Sequence, residues 1–285
     1  MRSFKQELVG LFGKPVAENP TQVMVEAAFG ELGLDRRYLT LEVEPAALGD
    51  AVRGAHAFEF RGFHCTIPHK VAVIEHLDRI SETAASIGAV NCVVREDDGL
   101  VGENTDGNGF LRALRRRSDP GGQSVVVLGA GGAARAIAVE LLLAGAQRLV
   151  VVNRSEEQGR ELAGHLRALA PATEIELTTW QGDYSVPAGT DLVVNATPNG
   201  LYPDVEAHVP LDLSSLTAAA TVADVVPNPP ETAFLREARG AGCPTIDGLE
   251  MLVEQGVLSV GYWTGREPDA AVMQAALAEV FAGSP

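Results

Sequence analysis

The sequence predicts an α/β protein of two domains, one of them built on a doubly wound parallel sheet. Three observations carry that reading. A β-branched run passes through a glycine turn into an alanine- and leucine-rich helical stretch, SVVVLGAGGAARAIAVELLLAG, from residue 124. Strand-like runs without polar alternation follow, separated by helical stretches, which is the pattern of a parallel sheet covered on both faces. The first 110 residues also alternate helix and strand, but they lack the glycine turn.

In chain order, residues 22–33, 45–54 and 70–78 read as helices, interleaved with the strand-like YLTLEV and GAVNCVV. After the glycine turn, QRLVVVNRSEEQGRELAGHLRALA repeats strand then helix. TDLVVNATPNG and AATVADVVPNPPETAFLREARGAG supply two more strands, the second leading into a helix. The tail from DGLEMLVEQG to AALAEVF reads as two helices. The expected division is 1–110 as a substrate-binding and catalytic domain, 111–245 as the doubly wound domain and 246–285 as C-terminal helices packing on the first.

At 285 residues, with 46% hydrophobic and 21% charged residues, the chain is long and apolar enough for real cores. It has no apolar run of about 18 residues to span a bilayer, and its N-terminus lacks a signal-peptide pattern. Three scattered cysteines form neither a CxxC pair nor a disulfide framework; each reads as a small core residue in a reducing compartment, and the expected location is cytoplasmic. His64 and His69 flank a proline turn without metal-ligand spacing, so no metal is expected. The net charge of −16 argues against nucleic acid or an anionic membrane as partner. An anionic ligand would therefore depend on local donors.

Gly129-Ala130-Gly131-Gly132-Ala133-Ala134 has the G-x-G-x-x-A form between a strand and a helix. Gly129 permits the tight turn, Gly131 lets backbone approach a pyrophosphate, and Ala134 allows close helix packing, so a dinucleotide is expected on the helix N-terminus. An NAD site would show a carboxylate at the tip of the second strand. Here the tip is Asn153-Arg154-Ser155, and the planar fork of Arg154 suits a 2′-phosphate. The expected cofactor is NADP, with NAD as the alternative.

Lys70 lies between a Thr-Ile-Pro turn and the apolar run Val71-Ala72-Val73-Ile74. A lysine is rarely buried for packing alone; on local grounds it is either a helix-start residue with its head in solvent or a functional group. Asn91 follows a small-residue turn, and Asn104, Thr105 and Asp106 form a turn-like cluster just before the dinucleotide domain. A dehydrogenase needs a proton carrier beside the substrate oxygen, and a lysine with a neighbouring carboxylate meets that need.

With these residues in place the chain resembles the shikimate dehydrogenase family. The ordered motifs GKPVAENPTQVMVEAAF, CTIPHK, IGAVNCVV, GENTDG, VLGAGGAARA, VVNRS, NATPNG and DGLEMLVEQG span nearly its whole length. The resemblance implies reduction of 3-dehydroshikimate to shikimate with NADPH. It makes Lys70 the catalytic lysine and Asp106 its partner in a cleft between the domains. It makes Thr66, Asn91 and Gln255 substrate contacts, assigns Asn153, Arg154 and Ser155 to the adenosine phosphate, and sets Thr197 and Gly248 on the nicotinamide side. It also implies that the C-terminal helices return to the first domain. The expected partner is a small molecule, and the protein a monomer or homodimer.

The chain departs from the family pattern at its carboxylate-binding end. The usual Ser-x-Ser is replaced by Asn19 and Thr21, the asparagine before Thr-x-Pro-x-Lys by His64, and a substrate-side tyrosine by Pro227. A second basic residue of the NADP motif is Gln158. Quinate, a related cyclitol carboxylate, and a non-catalytic NADP-sensing role stay open as alternatives. A methylenetetrahydrofolate dehydrogenase shares the fold but not the NTDG and GLEMLVEQG motifs.

Overall fold

The structure is a computed structural model that describes residues 5–282. The chain divides into two compact units: residues up to Thr105 with those from Val253 onward, and Asp106–Leu252.

The first unit runs β1 (Glu7–Gly13), α1 (Thr21–Glu31), β2 (Arg36–Glu42), α2 (Leu48–Ala57), β3 (Gly62–Cys65), α3 (His69–Ala72), β4 (Arg79–Ile80), α4 (Glu82–Ile87), β5 (Cys92–Glu96) and β6 (Gly99–Glu103). Its six-stranded sheet has the order β2-β1-β3-β5-β6-β4. Strand β1 is parallel to β2 and β3, while β5 runs antiparallel between β3 and β6. The C-terminal ends of β1, β3 and β6 and the N-terminal end of β5 therefore share one edge of the sheet. Crossover connections between parallel strands empty onto that edge, where ligands of open α/β sheets bind. Phe12 and Phe63 stack with ring centroids 4.5 Å apart at the centre of a core with Leu48, Val52, Val73 and Val93.

The second unit runs α5 (Asp106–Arg115), β7 (Ser124–Leu128), α6 (Gly132–Leu143), β8 (Arg148–Asn153), α7 (Glu156–Leu169), β9 (Glu174–Thr179), β10 (Tyr184–Ser185), β11 (Leu192–Asn195), β12 (Leu211–Asp212), β13 (Thr221–Asp224), α8 (Ala233–Gly240) and β14 (Thr245–Ile246). Its main sheet is wholly parallel, in the order β14-β13-β11-β7-β8-β9. Numbered along the chain, this is the 3-2-1-4-5-6 order of dinucleotide-binding folds, reversing between β7 and β11. The central strands β7, β8, β11 and β13 are buried along nearly their whole length, which is why they read as apolar runs rich in Val, while β9 at the sheet edge is polar and partly exposed. Helix α9 (Gly248–Thr264) begins in this unit and passes into the first, where α10 (Ala270–Ala282) packs on α1.

Three local elements differ from the sequence reading. The helix expected at 45–54 begins as a 3-10 turn over Pro45–Ala47 before α2. The one expected at 70–78 breaks after Ala72 into a 3-10 turn over Val73–His76; its β-branched residues Val71, Val73 and Ile74 lose side-chain freedom in a helix. The strand expected in GAVNCVV starts only at Cys92, because the Val90 amide is drawn to the Lys70 carbonyl at 2.8 Å.

Candidate functional site

In the first unit the shared sheet edge gathers Thr66, Lys70, Asn91 and Gln255. Thr66 follows β3, and its backbone amide bonds the Phe12 carbonyl at 2.9 Å. Its methyl packs so close to Gly13 that a Cβ on that glycine would lie 2.2 Å away. The His69 amide bonds back to the Thr66 carbonyl at 2.8 Å, closing the turn that presents the half-buried Lys70. The Lys70 carbonyl accepts from Val90, and the Cys65 amide donates to the Asn91 carbonyl at 2.8 Å, so the lysine turn and the Asn91 turn are tied through backbone.

Asn91 is buried, and its side chain bonds Thr105 twice. Its Oδ1 accepts the Thr105 amide at 2.6 Å, and its Nδ2 donates to Thr105 Oγ1 at 2.9 Å. Asn104, also buried, donates to the Ala89 carbonyl at 3.0 Å. Thr105 Oγ1 lies 3.3 Å from Gln255 Oε1 and 3.2 Å from Ser259 Oγ on α9. Ser259 in turn meets His64 Nε2 at 2.7 Å, and His64 Nδ1 meets the Tyr38 hydroxyl at 2.8 Å. Burial pushes that hydroxyl's pKa well above its ordinary value. His69 bonds the Val43 carbonyl at 2.8 Å. Each of these two histidines is thus a hydrogen-bonded group in the unit's interior.

Asn19 lies in the loop that leaves β1 after Gly13, and Thr21 is the buried first residue of α1. Asn19 Oδ1 accepts the Thr21 amide at 3.0 Å, an Asx-type turn at the start of α1. The carboxamide oxygen is therefore engaged locally, and Nδ2 is the donor of this side chain.

In the second unit Gly129–Gly131 connect β7 to α6, which opens with Gly132 and Ala133, at the point where the strand order reverses. Gly129 adopts φ +110°, and a Cβ there would lie 2.8 Å from the Ala196 carbonyl oxygen and 3.3 Å from the Thr197 methyl. Glycine is required on both counts. Gly131 caps α6 without a side-chain hydrogen bond, is exposed, and has open space where a Cβ would be. Bare N–H groups at a dipole's positive end, with room for a close approach, fit a pyrophosphate.

Thr197 is held by Asn195 at the end of β11: its hydroxyl donates to Asn195 Oδ1 at 2.6 Å and its amide at 3.1 Å. Asn195 Nδ2 donates to Asp224 Oδ1 at 3.0 Å, and Thr232 donates to Asp224 Oδ2 at 2.7 Å. Burial pushes the Asp224 carboxyl up to about 6. Gly248 sits against the turn after β13, where a Cβ would lie 2.2 Å from the Val226 oxygen and 2.8 Å from the Pro227 nitrogen. Beyond β8, Asn153 Nδ2 donates to the Ser155 carbonyl at 2.8 Å, Ser155 caps α7, and Arg154 is exposed between them. Thr197 and the glycine turn are thus brought together, with the Asn153–Ser155 tip one strand away. Asp106, buried, opens α5.

The sequence reading missed Tyr38 and Ser259, and it treated His64 only as a rejected metal ligand and as a departure from the family pattern. Ser259 had a signal, since it lies one helical turn beyond Gln255 and on the same face. Tyr38, 26 residues from His64, had none.

Three family models match: shikimate dehydrogenase substrate binding domain over residues 11–93, shikimate / quinate 5-dehydrogenase over 112–198, and shikimate 5′-dehydrogenase C-terminal domain over 248–278. Shikimate dehydrogenase (NADP(+)) of Moorella thermoacetica is 44% identical, with 97% of this chain and 94% of that protein covered. A ligand-free crystal structure of 5-ketofructose reductase from Gluconobacter sp. strain CHM43 is 49% identical at a TM-score of 0.92, covering 98% of this chain and 100% of that one. Shikimate 5-dehydrogenase of Thermus thermophilus, in complex with NADP(H) and shikimate, is 34% identical at a TM-score of 0.84, covering 96% and 99%. On sequence, fold and the order of its motifs alike, the chain belongs to the shikimate dehydrogenase family.

Proposed function

We propose that the protein is an NADP-dependent dehydrogenase that reversibly reduces 3-dehydroshikimate to shikimate. The observation that carries this reading is the glycine turn at the sheet's switch point, joined to a β8 tip that offers Arg154 in place of a carboxylate. Gly129, Ala130, Gly131, Gly132 and Ala133 would hold the pyrophosphate, Asn153, Arg154 and Ser155 the adenosine phosphate, and Thr197 and Gly248 the nicotinamide side. Bound there, NADPH supplies the hydride.

The chain's own residues then bind and orient the ketone and manage the proton. Thr66, Asn91 and Gln255 hold the hydroxyls, with Asn19 and Thr21 at the carboxylate end. Lys70 delivers a proton to the oxygen as it becomes a hydroxyl, and Asp106 orients the ammonium and balances its charge. In this reading residues 1–110 bind substrate, 111–245 bind NADP, and 246–285 complete the substrate domain.

A second reading concerns the substrate. The 49% identity to a 5-ketofructose reductase favours an uncharged hydroxylated ketone. Asn19, Thr21 and Pro227, standing where the family carries carboxylate and substrate hydroxyl contacts, point the same way.

Absorbance at 340 nm decides between them. NADPH oxidation is followed with 3-dehydroshikimate and with 5-ketofructose, and NADP and NAD reduction with shikimate and quinate. Rapid turnover of the shikimate pair supports the first reading; turnover of 5-ketofructose alone supports the second. Silence with every pair, with NADP still bound, overturns both in favour of a sensor.

A further inference from the structure

We propose that Tyr38, His64 and Ser259 form a directional hydrogen-bond relay that positions Asn91 and Gln255 for substrate. The inference rests on the assignment of those two residues to the substrate in the proposed function.

Counting protons fixes the direction. Ser259 Oγ donates its one hydrogen to the Gln255 carbonyl one turn back, at 2.8 Å. Toward His64 Nε2, at 2.7 Å, the serine oxygen must then accept, so Nε2 carries the imidazole proton. Nδ1 is consequently bare and accepts from the Tyr38 hydroxyl at 2.8 Å. The opposite tautomer would set Nδ1–H against the phenol and strand the Tyr38 hydrogen in a fully buried position. This tautomer is assigned from the network, by satisfying every hydrogen in it.

The relay ends on the residues that matter. Ser259 Oγ lies 3.2 Å from Thr105 Oγ1, and the Thr105 hydroxyl bonds Asn91 Nδ2 at 2.9 Å and lies 3.3 Å from Gln255 Oε1. With Ser259 pinned between His64 and the Gln255 carbonyl, its remaining role toward Thr105 is as acceptor. That sets the Thr105 rotor: its one hydrogen goes to Ser259, so Oγ1 faces Asn91 and Gln255 as an acceptor. It accepts from Asn91 Nδ2, whose Oδ1 the Thr105 amide holds, and it is satisfied toward Gln255 when that carboxamide turns its Nε2 end to Thr105 and its oxygen outward. The imidazole is wedged by Trp263, whose ring centroid lies 4.7 Å away and whose indole is anchored to the Val93 carbonyl at 2.9 Å. His64, Tyr38 and Ser259 are therefore positioning residues.

The test has two independent readouts. In protein labelled with 15N-histidine, the His64 resonances, assigned by loss in His64→Asn, should report the Nε2–H tautomer. Tyr38→Phe, which removes one oxygen, should give a mixed tautomer. An Nδ1–H or doubly protonated ring in the wild type overturns the relay. In the 340 nm assay, Tyr38→Phe and Ser259→Ala should raise the ketone KM about tenfold, with kcat changed less than threefold and the NADPH KM unchanged. Unchanged ketone KM in folded variants overturns the positioning role. Absence of turnover in the wild type would instead fail the functional reading, and the tautomer alone would then decide the relay.

Discussion

Asn91 and Thr105 clasp one another through two hydrogen bonds, amide to Oδ1 at 2.6 Å and Nδ2 to hydroxyl at 2.9 Å. The pair joins the start of β5 to the chain just beyond β6, so one side chain fixes two sheet ends. Both residues are buried, and truncation would strand the Thr105 amide. Asn91→Ala should therefore destabilise the protein by about 1–3 kcal/mol, the cost of an unsatisfied buried group. Urea unfolding at neutral pH measures it. A change within experimental error would mean the clasp contributes nothing net.

Lys70 and Asp106 are proposed to handle the proton, and their substitution should leave the dinucleotide turn intact. Lys70→Ala should lower kcat by at least about 10²-fold, the usual worth of general acid catalysis, with little change in NADPH affinity. Asp106→Asn should act in the same direction to a smaller extent. Steady-state kinetics with fluorescence titration of NADPH separates the two effects. Near-wild-type turnover by Lys70→Ala would remove it from the chemistry.

Arg154 is exposed at the tip of β8, with no carboxylate beside it in the Asn153-Arg154-Ser155 turn. A guanidinium there interacts with a 2′-phosphate but not with a 2′-hydroxyl in any charge-assisted way. Arg154→Ala should raise the KM for NADP by about tenfold or more while changing that for NAD less than twofold. Equal losses with both cofactors would take Arg154 out of the phosphate site.

How much of this was legible in the sequence follows from how local each signal is. The Gly129–Ala134 turn and the Val-rich strands around it are local, since glycine geometry and burial on both faces leave direct marks in composition. Lys70 and Asp106 were legible only as motifs, because nothing in their own neighbourhood distinguishes them from a helix start and a turn. The Tyr38–His64–Ser259 relay was not legible. It joins residues as far as 195 positions apart, and a buried tyrosine reads like any core aromatic until its hydroxyl partner is known. The late start of β5 shows the same limit: the Lys70 carbonyl that captures the Val90 amide is a tertiary partner.

Asp224 carries a pH signature of the second unit. Its carboxyl is pushed up to about 6 from an ordinary 3.8 because burial penalises the anion more than three hydrogen bonds restore it. A carboxyl raised in the folded state contributes stability that is fully present below about pH 3.8 and is lost as pH rises through about 6. The full span corresponds to about 3 kcal/mol. In Asp224→Asn, Oδ1 can still accept from Asn195 and Val226, while Nδ2 donates to a reoriented Thr232 hydroxyl. The variant should therefore gain on the wild type between pH 4.5 and 7.5, in the range of about 1–3 kcal/mol. Urea unfolding at both pH values measures it, and parallel pH profiles would show that the buried carboxyl does not couple to folding.

Asn19 and Thr21 bear most directly on which ketone the protein reduces. Asn19 Oδ1 is occupied by the Thr21 amide, so toward a carboxylate the pair offers one amide donor and one hydroxyl. On the shikimate reading that pair is the working anion contact, and Asn19→Ser with Thr21→Ser shortens the reach of the Asn19 donor. The shikimate KM should then rise several-fold. On the reading with an uncharged ketone, the double variant restores two hydroxyls of the family's carboxylate site. The shikimate KM should then fall, and that for 5-ketofructose should rise. Measuring both constants on one preparation makes the sign of the shikimate change decisive. Unequal effects on shikimate and 5-ketofructose also exclude a simple loss of folding, which would lower both activities together.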